Sequence, residues 1–570
     1  MANSLKKLLG LAALTAVGGG IAYLKRRQLI AQLLKLPPPV NEVAREPGVA
    51  ITMPDGVTLK ADVYHPLGLA TAPTILTRTP YNRKSINQFF ATLFAERGFN
   101  VVSQDVRGRF GSDGRFEPYV HEAADGEATL AWIAEQPWSN GRIGMWGQSY
   151  VGFVQWAAAS TGTPHLHAML PAITQSNLGG PNDHGFMWLD RTLRWILLLD
   201  AMMDRSLSAW EKMGLSYYAP EQNKRVSAGW NHLPLATADA AVLGHSQDFY
   251  QIWAQHYAPD DPYWQAVDLR RKVPQIGVPM HLVAGWYDIF LRGQLADYAA
   301  LRQAGHEPYL TIGPWTHMAF PGMLAAVREG LAWFSAKLQG NAGAIRPYPV
   351  QIYLQGANKW LGYESWPPPA EQEAAFYLQP LGELSTDEPP TDAPPDQYRY
   401  DPADPTPNLG GALLSTEAGP VDNRPLEARP DVLTYTTEPL TAPLTVIGHV
   451  RLRLFVRSSL EFTDFYGRLC DVWEDGRSLN VCDGLFRIQP GRGEPQPDGS
   501  LLIEVDMTAT AYQFQPGHRL RLQVSSGAHP RISRNLGTGD PVMHGTAMHT
   551  ADQTIYHDPD HTSALILPLT

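Results

Sequence analysis

Residues 147–152 read Gly-Gln-Ser-Tyr-Val-Gly and have the pattern of a turn that mounts a reactive serine, Ser149. The apolar run 141–146 before them is typical of a short buried strand, and the run 153–160 after them contains helix formers and no helix breaker. A serine on such a strand-to-helix turn stands above the edge of a sheet, at a helix N-terminus that favours developing negative charge. An ordinary strand-to-helix turn that holds a serine is the alternative interpretation.

The spelling of this motif departs from the general nucleophile-elbow pattern at its second glycine. In that pattern the glycine lies two residues after the serine, but here that position is Val151 and the glycine follows at Gly152. The motif is therefore Gly-x-Ser-Tyr-x-Gly, with Tyr150 directly after the serine.

Two later strand ends offer the partners that a nucleophilic serine needs. A serine hydroxyl is a weak nucleophile at neutral pH, so it requires a histidine base that is oriented by an acid. In α/β-hydrolase sheets these partners follow the serine in the order acid, histidine, each on a loop after a strand. The apolar run 278–284 is followed by Asp288, and the run 309–312 is followed by His317. We therefore predict Ser149, Asp288 and His317 as a catalytic triad, with a helix N-cap and a loop histidine as the alternatives for the last two.

Acyl transfer also needs hydrogen-bond donors for the negative oxygen that forms at the substrate carbonyl. The backbone N–H of Tyr150, first in the helix after Ser149, is one donor by position. A second donor is expected from the loop after an early strand, and Tyr81 follows the predicted strand 74–77 closely enough to supply its phenolic hydroxyl. Packing is the alternative role for Tyr81, because it follows a proline.

Around these residues, apolar strands alternate with segments of helix length, after a hairpin predicted at 50–64 from its Pro-Asp-Gly turn. This alternation predicts an α/β fold, with a doubly wound and mostly parallel sheet built from residues 37–172 and 269–345. The predicted strands are 73–77, 100–104, 143–146, 167–172, 278–284 and 309–312, and the predicted helices include 86–97, 126–136 and 323–338.

The alternation stops between residues 173 and 268, which contain six tryptophans at helical spacings and few β-rich runs. We interpret this stretch as a helical cap inserted into the α/β domain. From residue 346 to 570, short alternating runs are separated by proline, glycine and aspartate, which predicts a β-sandwich or jelly roll. The proline-rich stretch 389–407 is predicted as a long loop that crosses this β domain, with a linker as the alternative.

Length, charge and cysteine content limit the class of protein. At 570 residues the chain exceeds the size of one hydrophobic core, so two or three domains are expected. A net charge of −11 without any long basic block argues against nucleic acid as a partner. The only cysteines are Cys470 and Cys482, which excludes a disulfide framework and a thiolate metal site. They flank the turn 474–477, so a cross-strand disulfide and two buried thiols both remain open.

The first 36 residues differ from the rest, because Lys6 and Lys7 precede an apolar stretch at 8–24 and a basic cluster at 25–27. This pattern predicts either a membrane anchor or a cleaved export signal, so the protein is expected at a membrane or outside the cytoplasm. Basic residues on both sides leave the orientation of a membrane tether open. A soluble amphipathic helix is the alternative.

From about residue 49 to 570, the chain resembles the cocaine esterase / X-Pro dipeptidyl-peptidase family of α/β-hydrolase serine hydrolases. The resemblance rests on several motifs in order: Thr-Pro-Tyr at 79–81, Asp-Val-Arg-Gly at 105–108, Gly-Ser-Asp-Gly at 111–114, the serine motif at 147–152, Gly-Trp-Tyr-Asp at 285–288, Arg-Asn-Leu-Gly-Thr-Gly at 534–539 and Tyr-His-Asp-Pro at 556–559. It implies an α/β-hydrolase domain with an inserted helical cap, followed by an all-β jelly roll of the galactose-binding type.

Carried onto this sequence, the resemblance implies a role for each predicted site residue. Ser149 corresponds to the nucleophile, His317 to the general base and later acid, and Asp288 to the acid that orients it. Tyr81 and the amide of Tyr150 correspond to the oxyanion hole. Neither a metal ion nor an organic cofactor is implied.

Three charged residues of the motifs between 105 and 114 are Asp105, Arg107 and Asp113. We interpret them as residues that shape their loop rather than as catalytic groups. Their charges are expected to pair with one another.

The residues after the predicted triad acid bear on the substrate. The amino-ester hydrolases of this family hold the substrate ammonium with a carboxylate cluster, but residues 289–291 are Ile-Phe-Leu, which disfavours that specificity. The X-Pro dipeptidyl-peptidases usually carry an additional N-terminal helical domain, for which this chain has no room. Small-molecule carboxylic esters with apolar or aromatic acyl groups are therefore the predicted substrates. An X-Pro dipeptidyl-peptidase, amidase or acylase activity at the same site is one alternative, and a membrane-tethered ligand-binding protein on a hydrolase scaffold is another.

Overall fold

The computed structural model describes residues 20–180, 185–208, 211–212, 219–258, 260–391 and 393–570. Residues 1–19, which hold most of the predicted anchor or export signal, lie outside them. The cap residue Trp210 also lies outside them.

Helix α1 (Gly20–Leu33) is the first described element. Ala31 and Leu34 are buried against the α/β domain, and Arg27 forms an ion pair with Glu96 at 2.7 Å. The end of the predicted segment 1–36 thus packs on the domain that follows it. Among the described residues, no helix is long and apolar enough to cross a membrane.

The first sheet of the described residues contains ten strands in the order β1-β2-β4-β3-β5-β6-β7-β8-β9-β10. Strands β4, β3 and β5 to β9 run parallel to one another, whereas β2 and β10 are antiparallel to their neighbours. The predicted doubly wound and mostly parallel α/β sheet is therefore confirmed. The bounds are β1 (Val43–Thr52), β2 (Thr58–Pro66), β3 (Ala72–Thr79), β4 (Asn100–Asp105), β5 (Ser139–Gln148), β6 (Ala168–Ala172), β7 (His281–Tyr287), β8 (Tyr309–Thr316), β9 (Val350–Leu354) and β10 (Lys359–Tyr363).

The remaining helices connect strands of the first sheet, belong to the predicted cap or, in one case, lie in the C-terminal part. Connecting helices are α2 (Ile86–Ala95), α3 (Glu122–Ala134), α4 (Tyr150–Ala159), α10 (Leu291–Gln303) and α11 (Phe320–Leu338). Between β6 and β7 the chain forms α5 (Leu189–Met203), α6 (Ala219–Trp230), α7 (Ala238–Leu243), α8 (Asp248–Gln255) and α9 (Pro262–Val267). Short α12 (Arg424–Glu427) lies in the C-terminal part. No strand is described between β6 and β7, so the regular secondary structure described in the predicted cap is helical.

The C-terminal part is an all-β domain, as the sequence predicts. Its sheet has the order β13-β21-β15-β22-β11-β12-β14-β20-β16-β17, with β19 paired to β15 and β18 to β19. The bounds are β11 (Gln372–Gln379), β12 (Glu383–Ser385), β13 (Asp396–Tyr400), β14 (Leu433–Thr436), β15 (Leu444–Ser458), β16 (Thr463–Val472), β17 (Ser478–Ile488), β18 (Glu494–Pro495), β19 (Leu501–Phe514), β20 (Arg519–Ser525), β21 (Ala551–Tyr556) and β22 (Ala564–Leu569).

Two segments of this C-terminal part differ from their prediction. The predicted loop 389–407 contains strand β13, which pairs with β21. Strand β9 was assigned from sequence to the β domain, but it pairs in parallel with β8 and extends the first sheet. The pairing partner of a strand depends on which sheet edge lies next to it in the folded protein. A five-residue apolar run contains no signal for that pairing.

Cys470 and Cys482 lie on β16 and β17, which form the hairpin predicted around 474–477. Both cysteines are buried and unpaired with each other. Of the two alternatives that the sequence leaves open, the structure contains two buried thiols.

Candidate active site

Ser149 lies between β5 and α4 in a backbone conformation that side chains rarely adopt, with φ of 58° and ψ of −126°. Such a conformation costs about 1–3 kcal/mol and persists where the surroundings enforce it. The Ser149 N–H donates to the carbonyl of Ala172 in β6 at 3.0 Å, and the Ser149 carbonyl accepts from Gly152 and Phe153 in the first turn of α4. These bonds hold the serine at the carboxyl edge of the parallel strands.

Close packing requires both glycines of the serine motif. A Cβ at Gly147 would lie 2.1 Å from Cγ1 of Val151, and a Cβ at Gly152 would lie 2.5 Å from Cγ2 of Thr174. Residue 151 therefore faces the strand side of the turn, and residue 152 faces the chain that follows β6. The displaced glycine of the sequence motif marks the place where α4 contacts the segment that leads into the cap.

Ser149, His317 and Asp288 come together as the sequence order suggests. The Ser149 Oγ lies 3.0 Å from Nε2 of His317, and Nδ1 of the same ring lies 2.7 Å from Oδ2 of Asp288. A carboxylate only accepts hydrogen bonds, so Nδ1 carries the proton and Nε2 is left to accept from the serine hydroxyl. Asp288 and His317 are buried, with 3% and 7% of their surface exposed.

The loop after β7 holds Asp288 in place from its other side. The backbone N–H of Phe290 donates to Oδ1 of Asp288 at 2.8 Å, which leaves Oδ2 for His317. The Phe290 ring also packs edge-on against the His317 ring, with centroids 5.4 Å apart. Together these contacts restrict the imidazole to the orientation that faces Ser149.

Tyr81 lies just after β3, and its hydroxyl interacts with both Trp195 and Ser149. Burial raises the pKa of Tyr81 to about 12, although those two hydrogen bonds lower it, so the phenol stays protonated at neutral pH. The indole N–H of Trp195 donates to the Tyr81 oxygen at 2.9 Å. Because an indole N–H can only donate, the Tyr81 hydroxyl keeps its own proton available for another acceptor.

Tyr150 contributes the first backbone N–H of α4, which has no acceptor inside the helix. Its buried hydroxyl donates to Oε1 of Glu122 at 2.8 Å and accepts from the Tyr119 N–H at 3.0 Å. Burial and the negative charge of Glu122 raise the pKa of Tyr150 well above its ordinary value. The side chain thus anchors the first turn of α4, while the amide remains at the site.

A cavity of about 560 Å³ opens beside Ser149, and its walls include residues of the cap. This volume is in the range of small-molecule sites. The rings of Tyr119 and Trp195 stack at 6.1 Å and those of Trp195 and Trp253 at 6.0 Å, so the cap side of the cavity is aromatic. The cavity can accommodate an apolar or aromatic group next to the serine.

The charged residues between 105 and 113 pair with other parts of the chain, so the expectation that they pair with one another is wrong. Asp105 forms a buried ion pair with Arg83, and Arg107 holds Asp125 at 2.6 Å. Asp113 contributes backbone hydrogen bonds, one of them from the N–H of Gly108 at 2.9 Å. Arg83 lies 22 residues from Asp105 and Asp125 lies 18 residues from Arg107, and the sequence contains no local signal for such pairs.

Sequence reasoning did not single out Trp195, Phe290 or Arg191, although all three line the cavity. Trp195 and Arg191 lie four residues apart on α5, a spacing that places two side chains on one helix face. That spacing was the available signal, but it is equally typical of core packing. Within the described part of the chain, no three histidine, cysteine or acidic side chains converge in a way that could hold a metal ion.

Comparisons with known proteins match both parts of the chain. Residues 55–319 match the X-Pro dipeptidyl-peptidase (S15 family) domain, and residues 343–566 match the X-Pro dipeptidyl-peptidase C-terminal non-catalytic domain. The cocaine esterase of Rhodococcus sp. (strain MB1 Bresler) is 34% identical over 566 residues, which cover 91% of this chain and 98% of that protein.

Two solved structures resemble the molecule over 93% of its chain and 97% of theirs, each at 25% identity. One is an aminopeptidase from the marine sediment archaeon Thaumarchaeota archaeon, with a TM-score of 0.78. The other is an α-amino acid ester hydrolase, with a TM-score of 0.77. The similarity therefore includes the α/β part and the C-terminal β domain.

Proposed function

We propose that this chain, which belongs to the cocaine esterase / X-Pro dipeptidyl-peptidase family of α/β-hydrolase serine hydrolases, cleaves small carboxylic esters through an acyl-enzyme on Ser149. The observation that carries the proposal is the hydrogen-bonded series from Asp288 through His317 to Ser149 beside a largely apolar cavity. The relative at 34% identity is named as an esterase, which favours esters over peptides.

In the first step, the Ser149 Oγ attacks the ester carbonyl carbon, and its proton moves to Nε2 of His317. The charge that forms on the carbonyl oxygen is stabilised by the Tyr81 hydroxyl and the Tyr150 amide. Asp288 stabilises the imidazolium without taking up its proton. When the C–O bond to the alcohol breaks, His317 gives its proton to the leaving oxygen.

In the second step, water replaces the alcohol. His317 takes a proton from the water while the water oxygen bonds to the acyl carbon. The same two donors stabilise the second oxyanion. The bond to Ser149 then breaks, the serine recovers its proton from His317, and the carboxylic acid leaves.

Cleavage of X-Pro peptides at the same site is the second candidate, which the matched S15 domain and the aminopeptidase structure favour. Recognition of a peptide N-terminus needs acidic groups near the nucleophile, because the ammonium must be desolvated. The described residues that line the cavity include no aspartate or glutamate. This composition is the reason for ranking esters first.

Covalent labelling tests the proposed nucleophile. A fluorophosphonate probe is expected to add one phosphonyl group to the protein at Ser149, as measured by intact mass and peptide mapping. Ser149→Ala should abolish the adduct, whereas Ser160→Ala, at the C-terminal end of the same helix, should retain it. Absence of labelling on folded wild-type protein would refute the mechanism.

A substrate panel separates the two candidates. Aryl and alkyl esters, aminoacyl esters and X-Pro amides are offered to the same preparation, and kcat/KM is measured for each. The proposal expects ester turnover to exceed amide turnover. A higher kcat/KM for X-Pro amides would assign the site to the peptidase alternative.

A further inference from the structure

Helix α5 forms one wall of the cavity along several turns. Its side chains recur at intervals of three and four residues, as expected for one face of a helix. Trp195, near the middle of this wall, donates to Tyr81, so the middle of α5 lies beside the proposed oxyanion hole. The residues of α5 and its N-cap that line the cavity are Trp188, Arg191, Thr192, Trp195, Leu198 and Met202.

Few charged side chains line this cavity. Among the described residues that line it, no side chain is acidic, whereas Arg191 and Lys212 are basic. The Lys212 ammonium donates to the Met202 carbonyl at 3.3 Å.

Arg191 lies close to the proposed catalytic histidine and lacks a charged partner. Its guanidinium stacks over the rings of Phe290 at 5.2 Å and Trp188 at 5.6 Å, and it makes no hydrogen bond or ion pair with any residue that the structure describes. Asp288 attracts it electrostatically, but both oxygens of that carboxylate already accept bonds from His317 and Phe290. The donors of Arg191 are therefore available to a ligand.

A guanidinium in this setting favours an anion. Burial lowers the pKa of Arg191, yet an arginine side chain remains protonated at neutral pH. Arginine presents a planar set of donors that fits a carboxylate with two parallel hydrogen bonds. Stacking on two rings holds that plane in one orientation, which reduces the entropy lost when an anion binds.

Arg191 is connected to the proposed catalytic residues through its neighbours. Arg191 and Trp195 are one helical turn apart, which is about 6 Å along the axis. Trp195 contacts Tyr81, and the Phe290 ring that carries Arg191 packs on His317. We propose that Arg191 binds a carboxylate of the substrate, so that the preferred esters carry an anionic group in addition to the scissile carbonyl. This inference rests on the proposed esterase function and names its substrate class.

Three methyl esters of equal chain length test the proposal: monomethyl adipate, methyl hexanoate and methyl 6-aminohexanoate. Their six-carbon acyl chains end in a carboxylate carbon, a methyl carbon and a carbon that bears an ammonium group. Hydrolysis is followed by acid release at constant pH, and the readout is the ratio of kcat/KM between esters within each variant. A general loss of activity cancels in that ratio.

Wild type is expected to prefer monomethyl adipate, and Arg191→Met should reduce its preference over methyl hexanoate by about 10–100-fold, mainly through KM. Arg191→Lys, which keeps the charge, should retain part of the preference, and Arg191→Glu should shift it toward methyl 6-aminohexanoate. The exposed Arg271→Met removes one positive charge elsewhere and should leave the ratio unchanged.

Equal ratios in wild type and Arg191→Met would overturn the role of Arg191 while leaving the esterase proposal intact. Retention of the wild-type preference in Arg191→Glu would also overturn it, because that variant reverses the charge at the site. Failure of the wild type to hydrolyse any of the three esters, together with failure of the phosphonate labelling, would refute the proposed function itself.

Discussion

A hydrogen bond from Trp195 orients the hydroxyl of Tyr81. Its oxygen accepts from the Trp195 indole at 2.9 Å, and its own proton remains available to another acceptor. Without the hydrogen bond from Trp195, the Tyr81 hydroxyl could rotate and donate its proton in another direction, for example to a water molecule. Trp195 therefore acts as a positioning residue for the proposed oxyanion donor, through Tyr81 rather than through the substrate.

Tyr81→Phe removes one proposed oxyanion donor and little volume. We expect kcat for an ester to fall by about 10²–10³-fold, with a smaller change in KM, because the lost hydrogen bond is strongest in the transition state. The exposed Tyr348→Phe is the matched control and should keep the wild-type rate. Unchanged turnover in Tyr81→Phe would remove Tyr81 from the mechanism.

Trp195→Phe keeps an aromatic ring and removes the indole N–H. We expect kcat to fall by about tenfold, as for loss of a hydrogen bond to a group that must be oriented. The decisive measurement is a double-mutant cycle, because Trp195→Phe should have little further effect once Tyr81 is already Phe. Additive losses in the double variant would show that Trp195 acts independently of Tyr81.

At the scale of the secondary-structure elements, the strand-to-helix turn of Ser149 depends on how closely α4 approaches its neighbours. The turn places Val151 against Gly147 and Gly152 against Thr174. The spacing of the motif therefore reflects packing. The position of its second glycine indicates which residue of the first helical turn faces the chain after β6. If the glycine stood at 151 instead, residue 152 would carry a side chain. A side chain at 152 does not fit against Thr174.

Gly152→Ala tests this element. The new Cβ would lie 2.5 Å from the Thr174 methyl, and overpacking of this kind destabilises a core by about 1–3 kcal/mol. We expect a lower Tm and a lower kcat, because the same turn carries Ser149. A second change, Thr174→Ala, should restore part of the Tm, since it removes the nearest atom. Gly141→Ala is the control for steric overlap, because the added Cβ meets no atom within 4 Å. The positive φ of Gly141 adds backbone strain to that variant.

At the scale of the whole molecule, three parts meet around the site. The cap contacts the β domain through Met187 and Ser533. The Ser533 N–H donates to the Met187 carbonyl at 2.8 Å, and the Met187 N–H donates to the Ser533 hydroxyl oxygen at 3.0 Å. The first sheet reaches the β domain at Gln355, whose N–H donates to the Ala511 carbonyl at 3.0 Å. The cavity walls therefore depend on contacts that lie far apart in sequence.

A buried carboxyl group of the α/β domain forms hydrogen bonds with the segment that leads into the cap. Asp297 of α10 accepts hydrogen bonds from the backbone N–H and the hydroxyl of Ser176, which follows β6. Burial raises the pKa of Asp297 from 3.8 to about 7, although the bonds to Ser176 lower it. The folded state therefore binds this proton more tightly than the unfolded state.

The pH dependence of stability follows from that direction. A raised pKa in the folded state gives a contribution that is fully present below pH about 4 and is lost as the pH rises to about 7, with a total of about 4 kcal/mol. Asp297→Asn stays neutral, so its Tm relative to wild type should rise between pH 4 and 7. The exposed Asp387→Asn should show no such trend. Parallel Tm curves for Asp297→Asn and wild type would contradict the raised pKa.

Much of the framework could be read from local patterns, because strand and helix periodicity is a property of short segments. The alternation of apolar runs predicted the parallel sheet, and the position of Asp288 and His317 just after two strands predicted that they would meet at one sheet edge. The structure places both within hydrogen-bond distance of the next member of the series. The all-β C-terminal part was also visible, from its short alternating runs.

What the sequence by itself determined is which residues stand at strand ends and turns, because those positions follow from the chain's own periodicity and turn chemistry. Only the tertiary structure decided that β9 joins the first sheet, that Arg83 and Asp125 neutralise the loop charges, and that Trp195 and Arg191 line the cavity beside the serine. These are contacts between segments distant in the chain, chosen by packing and charge in three dimensions, and no short stretch of sequence encodes them.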